Sequence, residues 1–257
     1  MIYGLWLSAT GVTTNSHQVD VIANNLANAE TSGFRRQLAT FRERSPEAKE
    51  RGTPTAPGDR LFDNIGGGQL LSPSSFDTTA GALEETGKNF DLAVAGDGYF
   101  MVRDAKGEDR LTRNGNFIAD REGNLVMATD AKVRVLDSEK QPIQFDAATI
   151  ASEVQVGADG AMAIGPQTFG KIGLFNVADE KLLRPIGGTL FKVPSSVEVS
   201  RFDGQIESGY LEKSNVDPAV ELTKLMAAQR MLDANANLIR TQDQSIGRLV
   251  NDVGKIA

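Results

Sequence analysis

Cysteine is absent from this chain, histidine occurs once, and only 6% of residues are aromatic. The missing thiol excludes disulfides, thiol nucleophiles, cysteine zinc sites and iron–sulfur clusters. A single imidazole excludes every site that needs two, HExxH and two-histidine iron centres among them. Long apolar runs are missing too. No stretch reaches the roughly 18 apolar residues of a membrane span, so no membrane insertion is expected. No cleaved secretory leader is expected either. Met1-Ile2-Tyr3 carries no Lys or Arg, and Ser8, Thr10, Thr13, Thr14 and Asn15 interrupt any apolar core. Basic residues are outnumbered, 27 Lys+Arg against 34 Asp+Glu, for a net charge of -7. Nucleic acid is therefore not an expected partner, because phosphate neutralisation needs clustered cations.

What is present is a chain of 257 residues, 40% apolar and 24% charged. Those proportions suit a soluble globular protein of one large domain or two small ones. The composition is uneven along the chain. Residues 1–44 hold four Arg against Asp20, Glu30 and Glu43, and residues 212–257 hold six basic and six acidic residues. The middle, 45–211, holds 17 basic and 25 acidic residues, with 21 of the 26 Gly and eight of the nine Pro. The termini are nearly free of both helix breakers, so long helices can form there.

The middle is punctuated by Asp97-Gly98, Asn114-Gly115, Glu122-Gly123, Asp159-Gly160 and Asp203-Gly204. Between these turns run short strand-like pieces: 90–95, 99–103, 117–119, 125–128, 133–136, 171–177 and 197–202. This spacing predicts an antiparallel all-β domain. Asn114-Gly115 and Asp97-Gly98 suit positive φ at tight hairpins. Residues 45–80 read as a linker or extended arm, with Pro46, Pro54 and Pro57, then Gly66-Gly67-Gly68 and Ser72-Pro73-Ser74-Ser75.

Both ends carry a 3-4 apolar repeat. At the N-terminus it runs through Ile2, Leu5, Ala9, Val12, Ser16, Val19, Ala23 and Leu26. At the C-terminus one row is strong: Leu225, Leu232, Ile239, Ile246 and Val253. The other row is mixed: Leu222, Gln229, Ala236, Asp243 and Val250. This predicts a coiled-coil seam in which the two ends pair. Asp217-Pro218 caps the second helix, with Glu221 in its first turn. From 218 to 253 the helix would reach about 54 Å. Apolar Leu7, Val21, Ile22, Met226 and Leu238 lie off the seam and predict contacts beyond the pair. The expected fold is α+β. Terminal helical segments at 1–34 and 212–257 flank an arm at 35–80 and a central β domain at 81–211.

Asn24-Asn25-Leu26-Ala27-Asn28, followed by Thr31-Ser32-Gly33-Phe34-Arg35-Arg36, resembles the flagellar rod and hook protein family. The resemblance continues at Phe90-Asp91-Leu92-Ala93-Val94-Ala95-Gly96-Asp97-Gly98-Tyr99-Phe100 and at Leu111-Thr112-Arg113-Asn114-Gly115-Asn116-Phe117. It returns at Gly123-Asn124-Leu125-Val126 and at Gly209-Tyr210-Leu211-Glu212-Lys213-Ser214-Asn215-Val216-Asp217. The last helix, 228–241, also looks like the family's. The resemblance implies a structural subunit of the bacterial basal body that polymerises with copies of itself. It implies a rod subunit, most like the distal one with a proximal paralogue next, rather than the longer hook protein. The implied partners are other rod proteins, the hook protein, the flagellar type III export apparatus and the surrounding rings. Departures are Leu232, where the family often has an aromatic, the Ala29-Glu30 pair, and Arg35 and Arg36 in place of Lys.

The resemblance places Asn24, Asn25, Asn28, Gly33, Phe34, Asn215 and Val216 at a packed subunit contact. The heptad adds Leu5, Val12, Val19, Leu26, Leu225, Leu232, Ile239, Ile246 and Val253. Asn suits capping and turn geometry, and Gly33 suits a positive-φ redirection of the chain.

No catalytic residue, cofactor or metal is expected. Gly66-Gly67-Gly68 lacks the Gly-Lys-Ser/Thr of a phosphate loop. Asp120-x-Glu122-Gly123-Asn124 lacks the last carboxylate of a calcium loop. His17 has no partner at helical spacing, and adjacent Glu84 and Glu85 point apart. The competing expectation is a surface adhesin or stalk protein whose β domain is a ligand-binding head.

Overall fold

The computed structural model describes residues 2–45, 67–145, 154–195 and 197–253, with backbone alone at 2, 3, 169, 252 and 253. The Pro46, Pro54 and Pro57 part of the expected arm lies outside the described residues. The fold is α+β, with an N-terminal helix, central antiparallel sheets and a C-terminal helix. The chain divides into two compact units. One comprises Met1–Leu26, Gln37–Ser75 and Asp217–Ala257, and the other Ala27–Arg36 and Phe76–Val216. They are called here the helical unit and the β unit.

The helical unit contains α1 (Ile2–Ala27) and α2 (Pro218–Val253). The start of α2 is set by chemistry local to the sequence. The Asp217 carboxylate accepts from the amides of Ala219 at 2.9 Å and Val220 at 3.2 Å. Pro218 follows at the first helical position, where its missing N–H costs nothing. A two-stranded ribbon pairs Phe41–Glu43 with Gln69–Leu71. It is closed by Arg44 N–H to Gly68 O at 2.9 Å and Gly67 N–H to Arg44 O at 2.8 Å. Gln69 reaches α1 through its side-chain oxygen, 3.1 Å from Thr14 Oγ1.

In the β unit a nine-stranded antiparallel sheet runs, in order, through 184–187, 190–192, 109–112, 99–103, 130–135, 125–127 and 117–119. Leu174–Val177 pairs with both Val199–Arg201 and Tyr99–Arg103. Tyr99–Arg103 is the central strand, and its apolar run is buried on both faces. Phe100 and Val102 enter one core, with Leu92, Phe117, Leu125, Val135 and Ile172. Tyr99 and Met101 enter the other, with Leu111, Leu136, Phe175 and Phe191. The period of two in a strand is what sends alternate residues to opposite faces.

Two turns differ from expectation. Positive φ falls on Gly96, at 99°, and not on Gly98. Gly115 takes no positive φ either. A Cβ there would lie 1.6 Å from Leu92 O, so close backbone approach demands the glycine. Gly123 and Gly160, at two of the expected turns, take positive φ of 81° and 84°.

Candidate assembly surface

In the helical unit α1 and α2 pair antiparallel through a polar and glycine-rich row. A Cβ on Gly4 would sit 2.9 Å from Gln242 Nε2, and one on Gly11 would sit 2.7 Å from Asn235 Nδ2. Asn25 Nδ2 continues the row at 3.3 Å from Glu221 Oε2. Each step of seven or fourteen along α1 is matched by an equal step back along α2. The same register sets Gln18 opposite Ala228, which is buried.

This pairing corrects the second row of the seam on both helices. Leu5, Val12, Val19 and Leu26 are half-buried, but Ala9, Ser16 and Ala23 face outward. On α2, Leu225, Leu232, Ile239 and Ile246 are half-buried. Leu222, Gln229, Asp243 and Val250 are exposed, and the adjacent row Glu221, Ala228, Asn235 and Gln242 lies inward instead. The physical reason is the two glycines. Without side chains they admit the long amides of α2 against the α1 backbone, which rotates each helix away from a symmetrical seam. The Val253 side chain lies outside the described atoms.

Among the described side chains of α2, only Glu221 and Ala228 are buried. Large apolar groups stand in the open: Val220 45%, Met231 57%, Leu238 51% and Leu249 47% exposed. Their spacings of 11, 7 and 11 bring all four within about 20° on a helix of about 3.6 residues per turn. Leu222, Met226 and Val250 form further exposed apolar positions. Beside Met231 lies a groove of about 410 Å³ lined by Leu7, Thr10, Gly11, Asn15, Gly68, Gln69, Ala234 and Asn235.

The block after α1 belongs to the β unit from residue 27 on. Asn28 O accepts the Thr31 amide at 3.1 Å, starting the turn. Gly33 has φ 69°, and a Cβ on it would meet Asn114 N at 2.3 Å. Its amide donates to Glu212 O at 2.7 Å. Phe34 is 2% exposed and Val216 7%. The Asn215 side chain is used fully within the chain. Its oxygen accepts the Arg36 amide at 2.7 Å, and its nitrogen donates to Asp77 O at 3.2 Å and Thr79 O at 2.9 Å. Asn24 is exposed on α1, whereas Asn25 is buried.

A buried ion cluster underlies this block. The Glu212 carboxylate, 3% exposed, lies 3.0 Å from Arg35 and 3.7 Å from Arg113. It also accepts the Gly81 amide at 2.9 Å. Arg113 stacks 4.7 Å from the Tyr99 ring centre and donates to Gly96 O. Arg35 donates to Thr79 O. Burial pulls the Arg35 guanidinium below its ordinary value, Glu212 opposes that, and Arg113 adds to it. Burial likewise pushes the Tyr99 phenol up.

Sequence reasoning missed Glu212, Arg113, Gly4, Gly11, Asn235 and Gln242. The glycines and the amides each stand seven apart on their helices, and that coincidence was the available signal. The ion cluster left none, because its members lie far apart in sequence.

The other motifs are structural. Asp120 accepts the amide and side-chain nitrogen of Asn124 at 2.7 and 2.8 Å. Against a desolvation that opposes it, these bonds hold the Asp120 carboxyl below its ordinary value. Glu84 pairs with Lys213 at 3.2 Å on the surface. His17 Nε2 lies 3.4 Å from Ser74 Oγ.

Comparison with known proteins gives three family matches in chain order. They are flagella basal body rod protein at residues 7–35, flagellar hook protein FlgE/F/G D1 domain at 93–164, and flagellar basal body rod FlgEFG protein C-terminal at 207–252. The flagellar basal-body rod protein FlgG of Agrobacterium fabrum is 33% identical over 251 residues, covering 93% of this chain and 95% of that one. FlgG of Bacillus subtilis is 32% identical over 272 residues, covering 98% and 99%. The flagellar basal-body rod protein FlgF of Caulobacter vibrioides is 31% identical over 253 residues, covering 95% and 98%.

Proposed function

We propose, because this chain belongs to the flagellar basal-body rod protein family, that it is a structural subunit of the bacterial flagellar rod. It polymerises with copies of itself through α1 and α2 into a helical tube, joins other rod proteins and the hook, and passes torque along the shaft. It resides in the basal body and reaches it through the flagellar export apparatus. Its work is assembly, so no reactive group is required.

The observation that carries this reading is the uncovered apolar surface of α2. A 36-residue helix with seven exposed large apolar side chains and two buried residues is unfinished as a monomer fold. Covering those side chains would contribute on the order of 1 kcal/mol each. Repeated at every subunit, that suffices for a shaft held by many modest contacts. In this reading Asn24 and the half-buried row of Leu5, Val12 and Val19 belong to the assembly surface of the helical unit.

One edge of the β unit is blunted against lateral pairing. An outermost strand of its main sheet, Arg184–Gly187, contains Pro185 and a register irregularity there, which blunt an edge. The outer layer of the tube is the place for such a unit.

The test is Leu238→Asp in the full chain. Rods should be absent from isolated basal bodies while the secondary structure of the monomer is unchanged. Wild-type rods in that variant would falsify the reading. Deleting the gene separates the alternative: flagellated cells that have lost adhesion would favour an adhesin.

A further inference from the structure

The chain passes between the two units four times, at 26/27, 36/37, 75/76 and 216/217. On each side of these crossings one asparagine ties the crossing segments together. In the helical unit it is Asn25. Its oxygen accepts the Gln37 amide at 2.8 Å, and its nitrogen donates to Gln37 O at 2.9 Å and to Glu221 at 3.3 Å. That side chain joins the end of α1, the chain just after the second crossing and the first turn of α2. In the β unit it is Asn215, which joins residues 36, 77 and 79 through its side chain. Its own amide faces Phe34 O at 3.4 Å.

A buried carboxylate belongs to each network: Glu221 bonds Asn25 directly, and Glu212 is linked to Asn215 through Arg35, which donates to the same Thr79 oxygen. Glu221, 3% exposed, is shared by Asn25 and Lys224 at 2.7 Å. Glu212, 3% exposed, holds Arg35, Arg113 and the Gly81 amide. The carboxamides have no spare hydrogens. Both amide hydrogens of Asn25 and both of Asn215 are taken by acceptors of the same chain, so neither group has a donor to offer another molecule.

We propose that Asn25 with Glu221, and Asn215 with Glu212, are positioning residues of an intrachain joint. They set the spacing of the crossing segments within each unit, and they serve the rod by making every subunit alike rather than by touching the next one. A repeating contact closes into a regular polymer only if each copy presents the same geometry. Torque carried by a subunit loads the segments that these side chains tie. Asn25 is buried and Asn215 half-buried, and segments tied by shielded, fully bonded groups yield less than segments tied by exposed ones. The inference rests on the rod reading above.

The experiment reads amide exchange in the dilute full-length monomer, and swimming speed in a viscous medium. Asn215→Asp keeps the oxygen that accepts from Arg36 but turns a second oxygen toward two carbonyls. Exchange at the Arg36 amide should quicken at least tenfold before any assembly, and loaded swimming should fall at least twofold. Unchanged exchange in the monomer, or wild-type loaded swimming, overturns the proposal.

A pair of substitutions separates positioning from mere loss of stability. Asn25→Asp alone sets a carboxylate against Glu221. Adding Glu221→Gln returns a donor to that contact, so the double variant should recover part of the protection lost at the Gln37 amide and part of the loaded swimming speed. A double variant worse than either single one overturns the joint. Leu238→Asp is the control. It should abolish rods with no change at the Arg36 amide, so wild-type rods there would count against the assembly reading and leave the joint standing.

Discussion

Seven of the thirteen large apolar side chains exposed among the described residues lie on α2, whereas the β unit buries Tyr99, Phe100, Leu111, Phe117 and Leu125 to 2% exposure or less. The inversion extends to polar groups. The helical unit buries Ser8, Thr14, Asn25 and Glu221, yet among its described large apolar side chains only Val21 and Ile22 are buried. A unit with two filled cores is complete by itself. A helix pair with a polar seam and an apolar exterior leaves its favourable burial to be made elsewhere. The contrast places most of the burial in one region and, in the proposed reading, association in the other.

That contrast breaks most visibly in the β core. Phe100→Ala removes a ring packed edge-on to Phe117 at 5.2 Å between centroids. It should cost about 3–5 kcal/mol in a urea melt, a large share of the ~5–15 kcal/mol that holds a typical domain. Glu212→Gln comes next. It leaves two buried guanidiniums without their carboxylate and should cost about 3 kcal/mol by the same melt, with faster exchange at the Gly33 and Gly81 amides. A loss under about 0.5 kcal/mol would show that the cluster is not a constraint.

The helical unit should respond in the other order. Leu232→Asp strikes the half-buried row that faces α1 and should cost roughly 1–2 kcal/mol, seen as faster exchange along α2. Leu238→Asp on the outer stripe should change monomer stability by less than about 0.5 kcal/mol and still prevent assembly. If the two variants behave alike, the division of α2 into an inner and an outer face is wrong.

The smallest effect is set by pH. The Thr79 hydroxyl and amide, with Arg36 nearby, hold the Asp77 carboxyl below its ordinary value of 3.8, against some desolvation. A depressed carboxyl stabilises the fold fully above its unfolded value and loses that contribution as pH falls through the lower folded value. Asp77→Asn should therefore flatten the acid limb of stability below about pH 4 and change little at neutral pH. An acid limb identical to wild type would sink this assignment.

The α+β plan was legible because its signals are local. Gly and Pro crowd the middle, alternating runs mark the strands, and Asp217-Pro218 marks the start of α2. Gly33 was legible as a positive-φ residue for the same reason. The rows of the seam were only half legible. A 3-4 repeat shows that a helix has an apolar side, but two neighbouring rows fit one repeat equally well. Choosing between them needs the partner helix. Asn25 and Asn215 were visible as motif residues, but not the segments they bind. Arg35 was visible only as a departure from Lys, and Glu212 only as one letter of a motif.

Residue order along the chain was enough to determine the extent of the helices, the strand alternation of the β unit and the absence of thiol and two-imidazole chemistry. Each follows from steric and electronic properties of residues within a few positions of one another. Tertiary structure alone decided which face of α2 meets Gly4 and Gly11, and which is left bare. It also decided that Arg35, Gly81, Arg113 and Glu212 share one buried site. Those outcomes depend on backbone approach and desolvation between segments up to 238 positions apart, measured from Gly4 to Gln242. A local pattern has no means of recording them.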